Sequence, residues 1–585
     1  MSNLEKRYVD LAVVVVPFPG LALSESKAGE RTFKDAQFLN SPRPRTPKGN
    51  LAALTAGLKS WLLSRNVLAN IRSIDMQMIS QEITKYGEVR VGKIAIDKLR
   101  VGCTFEETFA SIEHCDIIAV SANFAASRLI VEDYLRYCRS VNSKAKIVVG
   151  GGDATHLDEH YLRNGADIVV RGEGEYIFRE LVFRIASQQS LEGIPSISFL
   201  GSEYEIVRQN EGSFDPNPDC NSLEPIEFDP IDYYKYDDTG EGVPPVSVSS
   251  PFVSFETSRG CPWRCTFCAI PWIKGRYRTM SSSTVRKHLE NFAANGVKSI
   301  LIEEDNVLAR LTRKKSGSFV DAAGRQELLE IFETLKEMEF CWEFANGIEL
   351  GKLTFEGRID TEVINSLHWN GRNKNGDFVG CYRQTLPIES VRDNRMELFP
   401  KLRPFDDTQL LLEEIVKTGI PEIDMTVIIR PDDDLIALRA IYRKCMQFKA
   451  FVKSVESKTL LYFNIYNLAL LPGTPDFTRY ANMLVYDIEK HPELTTFWIG
   501  GVRSNHFSPE EVLRIRGTIC KLVNFDETIP DHDVREVLTS PMLLEAVVSS
   551  DSVDLNASNQ NGSHCGFEGG IRQATQSPKR LQDPV

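Results

Sequence analysis

Short apolar runs ending at glycine or a small polar residue, each followed by a helical stretch, recur through this chain and restrict its fold more than any other feature. Residues 10–17, Asp-Leu-Ala-Val-Val-Val-Val-Pro, read as a strand buried on both faces. Strands are expected again over 116–121, 146–149 and 166–170, with helices over 51–64, 129–141, 156–164 and from Glu175 to Ala186. Such alternation implies a doubly wound parallel sheet, an α/β fold of Rossmann-like type. Ligands on these sheets bind beyond the carboxyl ends of the strands. Ser121, Gly150-Gly151-Gly152 and Gly172-Glu173-Gly174-Glu175 fall there. The alternation lapses from 188 to 250, a stretch rich in Pro, Asp, Ser and Gly that reads as a linker. It resumes from 252 to 475, with helices over 282–294, 323–338 and 407–418 and strands over 298–303, 340–344, 423–430 and 460–468. One more amphipathic helix is expected over 508–523.

A chain of 585 residues has room for two or three such units. Its 42% hydrophobic content supports a sizeable core, and a net charge of −13 argues against a broad nucleic-acid-binding surface. Twelve cysteines are too few for a disulfide scaffold, so a reducing, cytoplasmic setting is expected. The apolar run Leu11 to Val16 is too short for a signal-peptide core or a membrane span. The Pro- and Arg-containing segment at 41–48 reads as a solvated loop, and the Ser-, Asn- and Gly-rich residues 546–585 as a disordered tail.

Residues 255–268 read Phe-Glu-Thr-Ser-Arg-Gly-Cys-Pro-Trp-Arg-Cys-Thr-Phe-Cys, directly after a short strand-like run. Cys261, Cys265 and Cys268 are spaced C-x3-C-x2-C, so three thiolates can hold three corners of a cubane iron–sulfur cluster and leave the fourth iron open to a small molecule. The competing reading is structural zinc, which wants four protein ligands. The fourth would have to be a distant residue such as Cys341 or His288, and no second C-x2-C pair exists.

This spacing, with aromatic Phe267 ahead of the third cysteine, resembles the signature of radical S-adenosylmethionine enzymes. The resemblance implies a [4Fe-4S] cluster whose open iron chelates S-adenosylmethionine. It also implies reductive cleavage of that molecule to a 5′-deoxyadenosyl radical, with the electron coming from a donor such as flavodoxin or ferredoxin. Upstream, Gly150-Gly-Gly-Asp-Ala-Thr155 followed by Asp167-Ile-Val-Val-Arg-Gly-Glu-Gly-Glu175 resembles the cobalamin-binding domain found ahead of many of these enzymes. Ser121, Gly150, Gly151, Gly152, Gly172, Glu173, Gly174 and Glu175 are therefore expected around cobalamin; a generic nucleotide site or a structural glycine turn is the alternative. Cobalamin mutases and methionine synthases bring a histidine to cobalt from an Asp-x-His-x-x-Gly loop. Here the loop reads Pro17-Phe-Pro-Gly-Leu-Ala-Leu-Ser, so it supplies none, and His114 and His156 read as surface or cap residues.

Further segments resemble the family's barrel: Tyr277-Arg278, Glu303-Glu304-Asp305-Asn306, Glu389-Ser390 with Lys401 downstream, and Leu471-Pro-Gly-Thr-Pro475. The resemblance implies that Glu304 and Asp305 accept hydrogen bonds from the methionine ammonium, and that Glu389 and Ser390 hold the ribose or carboxylate. Ile429-Arg-Pro-Asp-Asp433 departs from the Gly-x-Pro-Gly-Glu of relatives.

The expected layout is a cobalamin-binding domain with linker over 1–225, a partial (β/α)6 barrel of TIM type over 226–475, a mainly helical region over 476–545 and the tail. The expected activity is methylation of an unreactive carbon or phosphorus of a small-molecule or natural-product substrate. Ring contraction or cyclisation without methyl transfer, and polar methylation of an indole, are the alternatives. A methylthiotransferase would need a second cluster, for which only Cys103, Cys115 and Cys138 are on offer, and a cobalamin sensor would need an output module that the sequence does not show.

Overall fold

The computed structural model describes residues 7–16, 22–24, 54–75, 83–91, 94–101, 105–217, 219–226, 252–311, 321–355, 358–390, 405–497 and 501–525. Lys401, Cys103, the segment 41–48 and the tail lie outside them.

The N-terminal sheet is built from β1 (Arg7–Val15), β2 (Val67–Asp75), β3 (Ile117–Ser121), β4 (Lys146–Gly150), β5 (Ile168–Val170), β6 (Ile197–Leu200) and β7 (Ile206–Gln209). Across the sheet they run β7-β6-β5-β4-β3-β1-β2. The first five in the chain are parallel neighbours in the order 2-1-3-4-5, the doubly wound arrangement of flavodoxin-like sheets. The unbroken valines of β1 follow from burial on both faces. Ala12 and Val14 join one apolar cluster with Ile118, Val120, Ile147 and Val149, while Leu11 and Val13 join another with Ile117, Ala119 and Val148. Helices Arg128–Val141 and Glu175–Ala186 supply the opposing layers.

Two expectations need correction here. The stretch from 188 is not all linker: Ile197–Leu200 and Ile206–Gln209 form an antiparallel edge that extends the sheet beyond β5. The turn-rich composition around them hid two four-residue strands. The helix expected over 156–164 is two short helices, Gly152–His156 and Asp158–Arg163.

The second sheet contains β8 (Phe252–Phe255), β9 (Ser299–Ile302), β10 (Cys341–Phe344), β11 (Phe378–Glu389), β12 (Glu422–Ile429) and β13 (Leu460–Asn467). All six are parallel and stand in chain order. Helices Ser282–Ala294, Ala322–Glu337, Thr361–Leu367, Phe405–Lys417 and Leu435–Ser454 separate them, which makes an open (β/α)6 barrel. Its core gathers Phe292, Phe332, Trp342, Phe344, Leu412 and Phe448. Helix Pro509–Phe525 packs on β13, where Asn524 accepts the Phe463 N–H at 2.9 Å. Among the described residues no helix is long and apolar enough to cross a membrane.

Gly380 marks a point where the barrel tolerates no side chain. It sits in β11 at φ 106°, and a Cβ would run into the Trp369 carbonyl. Gly376, at φ 85°, has open space around it. Gly380→Ala is expected to lower unfolding free energy by about 2–3 kcal/mol, through strain plus the clash. Gly376→Ala is expected to cost about 1 kcal/mol, from the positive φ alone. Denaturant midpoints of the two variants against the parent protein check the difference.

Candidate functional site

The three cysteines lie on one loop whose ends are pinned by a two-residue antiparallel ladder, Ser258 against Thr279 and Arg259 against Arg278. Inside the loop Cys265 is buried and its carbonyl accepts the Cys268 N–H at 3.1 Å, while Cys261 and Cys268 are half-buried. Phe267 packs against an apolar cluster formed by Ile428, Leu468, Leu470 and Val502, so it anchors the loop to the ends of β12 and β13. Thr266 donates to Asp476 at 3.0 Å, and Arg430 reaches the same carboxylate at 2.9 Å. The segment 429–433, which departs from the family pattern, therefore still braces the cysteine loop.

The distant candidates for a fourth zinc ligand are engaged elsewhere. Cys341 is buried with its thiol on the Phe378 carbonyl, and His288 donates to the Leu223 carbonyl and is pushed down to about 4 by burial. Cys115 and Cys138 sit in the core of the first sheet, where burial raises their thiols to about 11 and about 12. Both pack as core side chains of that sheet.

The acidic run after β9 is arranged differently from the expectation. Glu304 is buried and accepts from the Thr257 N–H at 2.8 Å and from the hydroxyls of Thr257 and Ser258. Burial raises its pKa against the opposing pull of Arg310. Asp305 accepts from the Gly260 N–H at 2.9 Å and pairs with Lys274 at 3.1 Å. Both carboxylates lie beneath the cysteine loop and make these contacts within the protein. Asn306 is the member of the run that turns toward the cysteines, its Nδ2 lying 3.9 Å from Cys261 Sγ and 3.1 Å from Glu349 Oε2.

Glu349 was not singled out by the sequence. It follows β10, is 2% exposed, and accepts from Trp263 of the cysteine loop at 2.6 Å. Its Oε1 is buried without a hydrogen-bond partner. A desolvated carboxylate oxygen beside the cluster loop is the acceptor that a bound ammonium group would satisfy. The only local signal was an acidic residue between Ile348 and Leu350, just past a strand end. Tyr277 places a buried hydroxyl close to Cys261 and Ser258. Glu389 and Ser390 are buried at the bulged end of β11, with Glu389 at φ 56°, a strained conformation typical of functional sites.

In the first domain Ser121 and Gly150 pair side by side at the ends of β3 and β4, and the Gly172 N–H donates to Thr155 Oγ1 at 2.9 Å. This joins the two glycine turns into one side-chain-poor rim. A Cβ at Gly152 would lie 3.2 Å from Ile273 Cδ1, and one at Gly172 would lie 3.4 Å from the Ile273 carbonyl. The rim therefore packs against the segment just past the cysteines. Gly174 packs close to Leu54. The carboxylates of Glu173 and Glu175 pair with Arg259 at 3.1 and 2.6 Å. His156 is half-buried and ends the helix Gly152–His156, the cap position among the expected readings. Its ring occupies the space that a Cβ on Gly473 would take, and its Nε2 is buried without a partner. His114 is exposed, as expected.

The family model of the B12 binding domain matches residues 97–182, and that of the radical SAM superfamily matches residues 255–439. Over 249 residues the chain is 30% identical to an uncharacterized methyltransferase of Pyrococcus horikoshii, covering 40% of this chain and 49% of that protein. The chain thus spans about half the length of that curated relative. The fold resembles that of the radical S-adenosylmethionine methyltransferase TsrM from Kitasatospora setae, solved with cobalamin and a [4Fe-4S] cluster, at TM-score 0.53 and 16% identity over 81% of this chain and 78% of the other. It also resembles the cobalamin-dependent S-adenosylmethionine radical enzyme OxsB, solved with aqua-cobalamin and S-adenosylmethionine, at TM-score 0.57 and 15% identity over 92% and 71%. The first of these family models is named for B12 and the second for S-adenosylmethionine, and the TsrM structure holds cobalamin together with a [4Fe-4S] cluster.

Replacing Cys261, Cys265 and Cys268 together by Ala is expected to abolish iron binding in anaerobically reconstituted protein, read as about four irons per chain falling to none. Glu349→Gln is expected to keep the iron and weaken S-adenosylmethionine binding about tenfold, the loss of one charge-assisted hydrogen bond. Iron analysis and equilibrium binding separate the two effects.

Proposed function

We propose that this chain, in which a B12-binding domain precedes a radical S-adenosylmethionine domain, methylates an unreactive carbon or phosphorus of a small-molecule substrate. The observation that carries the reading is the apposition of the first domain's glycine rim to Ile273, five residues beyond the last cluster cysteine. The Pyrococcus horikoshii relative, itself a methyltransferase by name, and the likeness in fold to TsrM support it. When bound, the cluster supplies the electron that cleaves S-adenosylmethionine, and cobalamin carries the methyl group.

The chain's own residues supply placement and dryness. Cys261, Cys265 and Cys268 hold the cluster. Asn306 and Glu349, linked at 3.1 Å, face it and orient the methionine end of the co-substrate, while Glu389 and Ser390 approach from β11. The apolar seat of Phe267 and the buried Arg430–Asp476 pair fix the loop against its strands. Fixing several reacting parts in one water-poor cavity is the main protein contribution to a reaction of this class. An external one-electron donor such as flavodoxin or ferredoxin completes the scheme.

The test is a reconstituted reaction with S-adenosylmethionine deuterated in its methyl group, followed by mass spectrometry of candidate metabolites. A product heavier by one labelled methyl, with one S-adenosylhomocysteine and about one 5′-deoxyadenosine per turnover, is expected for an sp3 carbon. An unlabelled product of unchanged mass, with 5′-deoxyadenosine as sole co-product, would transfer the chain to the rearranging members of the class. Labelled product without 5′-deoxyadenosine would mean polar methylation of an electron-rich ring.

A further inference from the structure

The glutamates of the Gly172-Glu173-Gly174-Glu175 turn project away from the glycine rim and into the barrel domain. Glu173 is met by two guanidinium groups: Arg259 Nη1 at 3.1 Å and Arg278 Nη1 at 3.2 Å, with Arg278 Nη2 on its other oxygen. Glu175, at the start of helix Glu175–Ala186, pairs with Arg259 at 2.6 Å. All four side chains are at most 10% exposed. Arg259 and Arg278 are no arbitrary pair, because they face each other across the ladder that closes the cysteine loop. From there the network runs inward. Arg259 Nε donates to Glu256 at 2.6 Å, Lys274 bridges Glu256 and Asp305 at 3.0 and 3.1 Å, and Asp305 holds the Gly260 N–H next to Cys261.

We infer that Glu173, with Arg259 and Arg278, is a clamp between domains that sets the position of the cluster loop relative to the cobalamin rim, and that Glu173 is a positioning residue rather than a cobalamin contact. The inference deepens the reading above, since it assumes that both cofactors bind where that reading places them. Its physical basis is directional. A buried ion pair contributes little net stability once desolvation is counted, but it admits few geometries, and stranding one partner is costly. Two guanidinium groups on one carboxylate leave the loop and the rim little freedom to slide. Gly172 and Gly174 flank Glu173, so the same turn presents bare backbone on one side and a charged anchor on the other.

The test uses the full-length protein loaded with cluster and cobalamin, and reads the magnetic interaction between Co(II) and the reduced cluster by electron paramagnetic resonance. The parent protein should give one well-defined interaction. Glu173→Gln and Arg278→Gln should each keep about one cobalamin and four irons per chain yet broaden or weaken that interaction, and the double variant should be no worse than either single one. Arg278→Lys keeps the charge without the fork and carries the same test should the Gln variants fail to assemble. Arg286→Gln, which removes an exposed pair with Glu337 at 2.7 Å, is the control expected to change nothing. An unchanged interaction in the Glu173 and Arg278 variants would overturn the clamp. Loss of cobalamin from Glu173→Gln but not from Arg278→Gln would overturn it too, by making Glu173 a cofactor contact. These readouts need no substrate, so absence of methylated product in the parent protein would count against the proposed function and leave the clamp to be judged by resonance.

Discussion

The cysteine loop has almost no apolar core of its own, so its shape depends on the buried polar groups beneath it. Glu304 is the centre of that floor. Its carboxylate is fully occupied by Thr257 and Ser258, and Arg310 lies beneath them, donating to the carbonyls of Met280 at 2.7 Å and Thr257 at 3.0 Å. These bonds tie the end of β8 to the end of β9 on either side of the loop. A buried carboxylate in such a place must be satisfied or displaced. Glu304 is satisfied by backbone and hydroxyl donors, so it ties the residues on either side of the loop to one another.

Much of this architecture was legible because burial leaves a direct imprint on sequence. The valine run of β1 announces a strand covered on both faces, and the chain-order barrel follows from apolar strands spaced by helices with caps such as Ser281 and Asp434. What stayed hidden depended on direction rather than identity. Glu173 and Glu175 occupy the right turn, but a sequence does not tell on which side of a glycine-flanked backbone a carboxylate emerges. Glu304 and Asp305 stand at the expected strand end, yet the partners that occupy them are Thr257, Ser258, Lys274 and Gly260, which only the fold brings near. Glu349 offered only its place just past a strand end, because its role arises from Trp263 and Asn306, each more than forty residues away. The edge strands β6 and β7 are too short for their alternation to rise above the surrounding turn residues.

The barrel interior shows the same economy. Arg383 of β11 is fully enclosed and pairs with Glu343 of β10 at 2.8 Å and Glu422 of β12 at 3.1 Å. Neighbouring strands thus carry complementary charges where other barrels of this type stack branched aliphatic residues. An open barrel lacks the closing strand pairing, and cross-strand ion pairs resist shear between its staves with a geometric selectivity that apolar packing lacks.

The two sheets meet through the ends of their strands, and glycine is what lets them meet closely. Gly473, at φ 84°, leaves room for the His156 ring of the first domain, while Gly152 and Gly172 leave room for Ile273 of the second. A side chain at Gly473 would collide with the His156 ring at Nδ1. The ionic contacts act in the opposite sense: Glu173 and Glu175 pull on the ladder arginines, and the Arg128 guanidinium reaches the Ile488 carbonyl at 3.4 Å. Bare backbone therefore permits the approach and buried charge fixes its register. A reaction that hands a group from one cofactor domain to a substrate activated in the other depends on that spacing, because effective concentration falls steeply once reacting atoms lose their near-attack separation. Backbone-level contact at the glycines and charge-level contact at Glu173 are the two means by which this chain can hold it.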